Sequence, residues 1–99
     1  MLIGVTTEPF QVLDLHARWR IAPDARLQFR YWDDECVLYH GAAGNTHRVP
    51  ELVGRLLEHL QSGTVATTAA LSEGVDLDAG DVQSSLMEMC SLGIAERAA

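Results

Sequence analysis

The stretch RLQFRYWDDECVLYHGAAGNTHRV, Arg26 to Val49, reads as three short strands joined by two tight turns. Leu27, Phe29 and Tyr31 alternate with Arg26, Gln28 and Arg30, the period of two expected of a strand with one buried face. Asp33-Asp34 supplies a turn, and Cys36-Val37-Leu38-Tyr39-His40 a second strand of residues that pack well on a pleated surface. Gly41 to Asn45 turns the chain again, with glycine able to take a positive φ, and Thr46 to Val49 gives a third strand ended by Pro50.

Turn length converts this alternation into a register. A two-residue turn at Asp33-Asp34 pairs Trp32 with Glu35 and Arg30 with Val37; a four-residue turn at Gly41 to Gly44 pairs His40 with Asn45 and Leu38 with His47. One face then carries Leu27, Phe29, Tyr31, Cys36, Leu38 and Val49, with His40, Asn45 and His47 towards one end. The opposite face carries Arg26, Gln28, Arg30, Trp32, Val37, Tyr39, Thr46 and Arg48. The first is the expected core face. A three-stranded meander needs a cover, and the second half of the chain must provide it.

After Pro50, a favoured helix-start residue, ELVGRLLEHLQSG places Leu52, Val53, Leu56, Leu57 and Leu60 on one stripe and closes at Ser62-Gly63. Gly54 inside that helix costs about 1 kcal/mol against alanine, so a close approach to the sheet is expected there. Ala66, Ala69, Ala70 and Leu71 fit a short second helix stopped at Gly74. Asp78 then reads as the N-cap of a third helix, with Asp81 near its positive end. Val82, Leu86, Met89 and Cys90 share one face, Gln83, Ser84, Met87, Glu88 and Ser91 point outward, Gly93 ends the helix and Ile94 adds a last core contact. The expected class is α+β: a three-stranded antiparallel meander followed by three helices, winged-helix-like, with the strands first.

Residues 1–18 read as an N-terminal arm. Leu2 to Val5 suits a strand, Phe10, Val12, Leu13 and Leu15 an apolar strip, and Pro9 breaks any single element through the middle. The arm is a candidate cover for Trp32, Val37 and Tyr39 on the non-core face, with a homodimer or a partner as the other possibilities. Trp19 and Ile21 lead into the domain, 19–99, through a turn at Pro23-Asp24.

Composition narrows the partners. Ninety-nine residues make one domain, and a 47% hydrophobic fraction excludes general disorder. No run suits a membrane span, and the start MLIGVTTEPF lacks a basic segment, so a cytoplasmic chain without membrane contact is expected. Cys36 and Cys90 read as reduced thiols, with a disulfide as the alternative. Seven arginines and no lysine face fourteen acids, for a net charge of −7. Pro50 to Ala99 holds eight acids against two arginines, so the helical half is the acidic half, an unfavourable surface for nucleic acid.

The chemistry-bearing residues are sparse. Asp33, Asp34 and Glu35 sit at a hairpin turn, where carboxylates are solvated turn formers rather than acid/base groups. No nucleophile elbow and no glycine run between a strand and a helix is present, so no catalytic residue and no cofactor is expected. Cys36, His40 and His47 share a sheet face, and His16 and His59 could add ligands only through long-range folding; without close-spaced pairs, no metal is expected either. The third helix lacks lysine and arginine, which weighs against a winged-helix DNA-binding regulator. Peptide capture fits better. Asn45 to Val49 is an edge in a simple meander, and the third helix, with Met87 and the rim of Leu86, could form the other wall of a groove. A solvated edge, or a homodimeric interaction module without a peptide, is the plainer alternative.

Trp19-Arg20, Trp32-Asp33, the strand Val37 to His40, Gly44 and Thr46-His47, followed by a leucine-striped helix and a third helix ending CSLGI, together resemble the PqqD-like proteins. These are small winged-helix recognition elements for ribosomally made, modified peptides. The closer likeness is to the PqqD-family peptide chaperone of systems with a kinase related to HPr kinase, and it spans about residues 19 to 95. The resemblance implies a non-catalytic adaptor that captures a precursor or leader peptide as an added strand and presents it to a modifying enzyme or kinase-related partner. Carried over by position, it implies Thr46, His47, Arg48 and Val49 for strand pairing and Val82, Leu86, Met87 and Cys90 for the groove side.

Overall fold

The computed structural model describes residues 12–61 and 64–99. Within them the chain is an α+β domain: β1 (Arg18–Ile21), β2 (Leu27–Trp32), β3 (Glu35–His40), β4 (Asn45–Pro50), α1 (Glu51–Leu60), β5 (Ala66–Thr67), α2 (Thr68–Val75), α3 (Ala79–Ser91) and β6 (Ala95–Arg97). β2, β3 and β4 form the antiparallel meander, followed by the three helices. Its register is the one the turn lengths require: Trp32 opposite Glu35, Arg30 opposite Val37, Leu38 opposite His47 and His40 opposite Asn45. Asp33 at φ 55° and Gly44 at φ 73° take the left-handed conformations that let the turns be this tight.

The face carrying Leu27, Cys36, Leu38 and Val49 is buried, and Leu56, Leu57 and Leu60 of α1 with Val82, Leu86 and Met89 of α3 complete the core. Gly54 is the point of closest approach. A Cβ there would fall 2.7 Å from both Cβ and Sγ of Cys36, so α1 lies directly on β3. The apolar stripe of α1 is narrower than its sequence suggests, because Leu52 faces solvent. α1 ends with Gln61 donating its N–H to Glu58 O, and Ser62-Gly63, the expected stop, lie outside the described residues.

The second, smaller sheet has the order β5-β1-β6 and was not foreseen. Trp19 is opposite Ala66 on one side and Arg97 on the other, so the lead-in to the meander is itself a central strand. Trp19 is only 1% exposed; its Nε1 donates to Thr68 Oγ1 at 2.9 Å, and the Arg97 guanidinium lies 5.1 Å from its ring. Ala66 therefore belongs to a strand rather than to the second helix. α2 starts at Thr68, capped by the Thr67 hydroxyl, and runs through Gly74 to Val75, ending on a left-handed Asp76 at φ 57°. Asp78 caps α3 by accepting the N–H groups of Gly80 and Asp81, and Ile94 is fully buried, as expected.

The arm's described part, residues 12–17, runs beside α3 and α2, away from the outward face of the meander. Gln83 holds it: Oε1 accepts Asp14 N–H at 2.8 Å, and Nε2 donates to Val12 O at 3.0 Å. Gln83 is thus 6% exposed and not an outward residue of α3. Leu15 O and Ala17 O accept the N–H groups of Ala69 and Thr68. The expected strand at Leu2–Val5 and the residue Phe10 lie outside the described residues.

Cys36 and Cys90 are free, without a disulfide between them. Burial pushes both thiols above their ordinary value, and burial, reinforced by nearby Glu58, does the same to the Tyr31 phenol. The consequence is an alkaline limit on stability. An acid whose folded pKa is raised releases its proton more readily when unfolded, so these groups favour the fold below the ordinary values of 9.0 and 10.0 and penalise it above them. Urea midpoints should hold steady to about pH 8 and fall between about pH 9 and 11. A midpoint unchanged across that window in the Tyr31→Phe, Cys36→Ser, Cys90→Ser background would identify these groups as the source.

Candidate functional site

In the described meander β4 pairs with β3 alone, so its other side is an edge. Which backbone groups face outward follows from two bonds. Glu51 N–H donates to Asp34 O, and these residues sit opposite one another in the β3–β4 frame. Every second pair of an antiparallel ladder is hydrogen-bonded, so Val49, His47 and Asn45 turn their polar groups towards β3. Gly41 N–H donating to Arg26 O gives the complementary phase on the β2 side. The outward groups of β4 are therefore the N–H and C=O of Thr46 and Arg48; Pro50, the N-cap of α1, has no N–H and gives its carbonyl to the first turn of the helix. Proline is tolerated at such a place because its missing N–H faces no neighbouring strand.

Beside this edge lies a groove of about 300 Å³, lined by His47, Arg48, Val49, Pro50 and Val53 on one side and Glu88, Met89 and Leu92 on the other. β4 supplies one wall, α1 the floor through Val53, and the last turn of α3 the opposing wall. Its charges sit at the rim: Glu88 is exposed, and Arg48 Nε is 3.9 Å from Glu35, a contact screened by solvent. The lining mixes apolar Val49, Pro50, Val53, Met89 and Leu92 with polar His47, Arg48 and Glu88.

Thr46, His47, Arg48 and Val49 are all on β4, and three of them line the groove. Thr46 contributes backbone, its side chain lying on the outward face beside Tyr39. The α3 set is distributed differently. Val82 and Leu86 are fully buried in the core. Cys90 is half-buried against the core, and its thiol feels Arg97 and Glu96 of β6. Met87 lines a separate hollow with Val12, Leu13, Asp14, Trp19, Gln83 and Arg97, on the flank of α3 turned away from β4. The groove wall comes instead from Glu88, Met89 and Leu92, and Asp81 is not part of it. The reason is rotational: β6 and the arm occupy the flank on which Met87 stands. Val53 and Leu92 were missed as site residues, and the only sequence signal for Leu92 was an apolar side chain just after the helix.

Other chemistry is thinly furnished. The His40 and His47 ring centroids are 6.5 Å apart, and among the described residues no group of three or more His, Cys, Asp or Glu is placed to hold a metal. His40 is 4% exposed with Nδ1 unpartnered, a histidine buried at the end of the core face. His59 packs over Gly74, and His16 is exposed. Asp33, Asp34 and Glu35 are all exposed at their turn. A hollow of about 520 Å³ between α1 and the end of α2, lined by Arg55, Glu58, His59 and Asp76, is wide open to solvent. Among the described residues no helix is long and apolar enough to cross a membrane. The chain matches no protein-family model, no curated protein and no solved structure.

Proposed function

We propose that this chain is a non-catalytic, PqqD-like peptide-binding adaptor, which captures a precursor or leader peptide along β4 and presents it to a modifying enzyme. The observation that carries the reading is an edge of the described meander whose outward N–H groups lie beside a groove walled by a helix, with Val49, Val53, Met89 and Leu92 in its lining. Strand addition satisfies backbone groups whatever the visitor's side chains are, and the groove then selects among them. Here the ladder is short. Thr46 and Arg48 offer both donor and acceptor and Pro50 offers neither, so much of the affinity must come from alternate side chains entering between Val49, Val53, Met89 and Leu92. Glu88 at the rim favours a ligand with a basic residue next to its apolar anchors.

The test uses short peptides encoded beside this protein's gene, titrated into isotope-labelled protein. Amide shifts should concentrate at residues 45–49 and 88–92. Arg48→Pro removes an outward donor while leaving the β3–β4 bonds intact, and one lost hydrogen bond predicts affinity weaker by about two- to tenfold. Proline at His47 is the poorer probe, because that N–H faces β3 and its loss breaks the meander. A melting curve must accompany each variant. Unchanged affinity in a well-folded Arg48→Pro protein would defeat strand addition, and shifts confined to the Met87 hollow would move the site across α3.

A further inference from the structure

We infer that His40 and His47 of the meander, with Met89 of α3, form a binding site for a soft monovalent metal ion, copper(I) in biological terms. This goes beyond the peptide reading and does not depend on it. The starting point is a pair of orphaned atoms. His40 Nδ1 and His47 Nε2 are both buried, and neither has a hydrogen-bond partner among the described residues. Burying a polar atom unpaired is costly, so two such atoms on neighbouring side chains point to one partner that they share.

The sheet sets their spacing. His47 stands opposite Leu38 and His40 opposite Asn45, so the two rings are diagonal neighbours on one face, with centroids 6.5 Å apart. An ion bonded at ~2 Å to a nitrogen of each ring would hold the centroids ~6 Å apart at full extension. The remaining ~0.5 Å lies within ordinary side-chain rotation. The ring planes are tilted by 39°, which a two-coordinate ion accepts because each ring turns freely about its metal–nitrogen bond.

The end of α3 stands over the pair. Met89, 3% exposed, lines the same groove as His47, and its flexible chain lets the thioether adjust to an ion there. A Cβ on Gly93 would lie 3.9 Å from His40 Cε1. The partial negative charge of a helix C-terminus favours a cation at this place, and Glu88 on the groove rim adds to it. Arg48, also on the rim, is exposed and turned to Glu35.

Ligand type selects the ion. Structural zinc takes four ligands, and among the described residues no group of three or more His, Cys, Asp or Glu is gathered for it. Magnesium and calcium need oxygen ligands. Two neutral imidazoles and a thioether are a soft set of low coordination number, which suits copper(I). A shared water is the competing occupant, but it seeks about two to four polar partners, and a thioether is a weak one.

The test titrates silver(I), a redox-inert probe of copper(I) sites, into the isotope-labelled full-length protein in chloride-free buffer. Copper(I) under anaerobic conditions is the second arm. The ring-nitrogen resonances of His40 and His47 should move together and saturate at one ion per chain, with the Met89 methyl following. Met89→Leu keeps the core filled and should weaken uptake about tenfold or more. His47→Gln should abolish the His40 shift, and a melting curve of each metal-free variant shows that it is folded. The thiols also take silver, so the histidine shifts must persist in Cys90→Ala. Saturation with neither ring moving, or with only one, would overturn the site. Zinc matching silver in affinity at these rings would overturn the choice of ion. A water signal to both rings that survives excess silver would overturn the proposal in favour of a buried water.

Discussion

Trp19→Ala should cost about 3–5 kcal/mol, close to the whole stability of a small domain at the lower end of the usual roughly 5–15 kcal/mol. The indole is sealed inside the fold, and β1, which carries it, is the central strand of the smaller sheet. Truncation removes the largest side chain of the core and unstacks Arg97. It also leaves Thr68 Oγ1 without its indole donor in a fully buried side chain. The last effect can be isolated: Trp19→Phe keeps most of the packing but orphans the hydroxyl, at about 1–3 kcal/mol. Thermal melts should show a fall of roughly 4–8 °C per kcal/mol for a chain of this size. A loss below about 1 kcal/mol for Trp19→Ala would mean that the smaller sheet is not part of the cooperative unit.

Gly54→Val should be the second severe substitution, and Gly54→Ala separates two opposed effects. Helix propensity alone favours alanine by about 1 kcal/mol. The contact opposes it, because the new Cβ would sit 2.7 Å from Cys36 Cβ and 3.1 Å from a Tyr31 ring carbon. Cys36 Cβ is tied to a central strand and cannot swing aside, so α1 must lift, at about 1–3 kcal/mol for alanine before the propensity gain and more for valine. Removing the obstacle gives the control. In a Cys36→Gly background, Gly54→Ala should lose most of its penalty, and urea denaturation of the four proteins measures the coupling. Coupling near zero would place the strain elsewhere. Lifting α1 also moves Val53, so if the proposed peptide capture holds, affinity should fall together with stability.

The meander and α3 were legible because their signals are local. Period-two alternation with turns of definite length fixes a register, and Asp78 followed by apolar residues at helical spacing fixes a helix. The smaller sheet lacked such a signal. β5 and β6 have two and three residues, too short for any period, and each becomes a strand only because β1 lies beside it. Gln83 illustrates a second blind spot. A polar residue on a helix was assigned to solvent, yet both ends of its amide bond the backbone of the arm, and side-chain bonds to distant main chain leave no sequence pattern. The groove was half legible for a related reason. β4 follows directly from the meander, whereas the flank of α3 that meets it depends on how the helix is rotated. With Val82, Leu86 and Met89 in the core, either flank satisfied the spacing, and the choice fell to Glu88, Met89 and Leu92 once the arm and β6 had claimed the other.

The proline at the end of β4 also bears on how this protein survives at high concentration. An open strand edge is a template on which further sheets can grow, and growth of that kind needs an uninterrupted row of donors. β4 breaks the row after Arg48. The opposite edge, β2, is blunted differently: Gln61 Nε2 donates to Leu27 O at 3.2 Å and occupies one of its outward acceptors. Two neighbouring molecules can therefore not zip edge to edge over six residues, although a flexible segment needing only two rungs can still find them. Replacing Pro50 with a β-branched residue would lengthen the row by one donor. It would then trade the selectivity of a short landing place for the beginnings of a fibril.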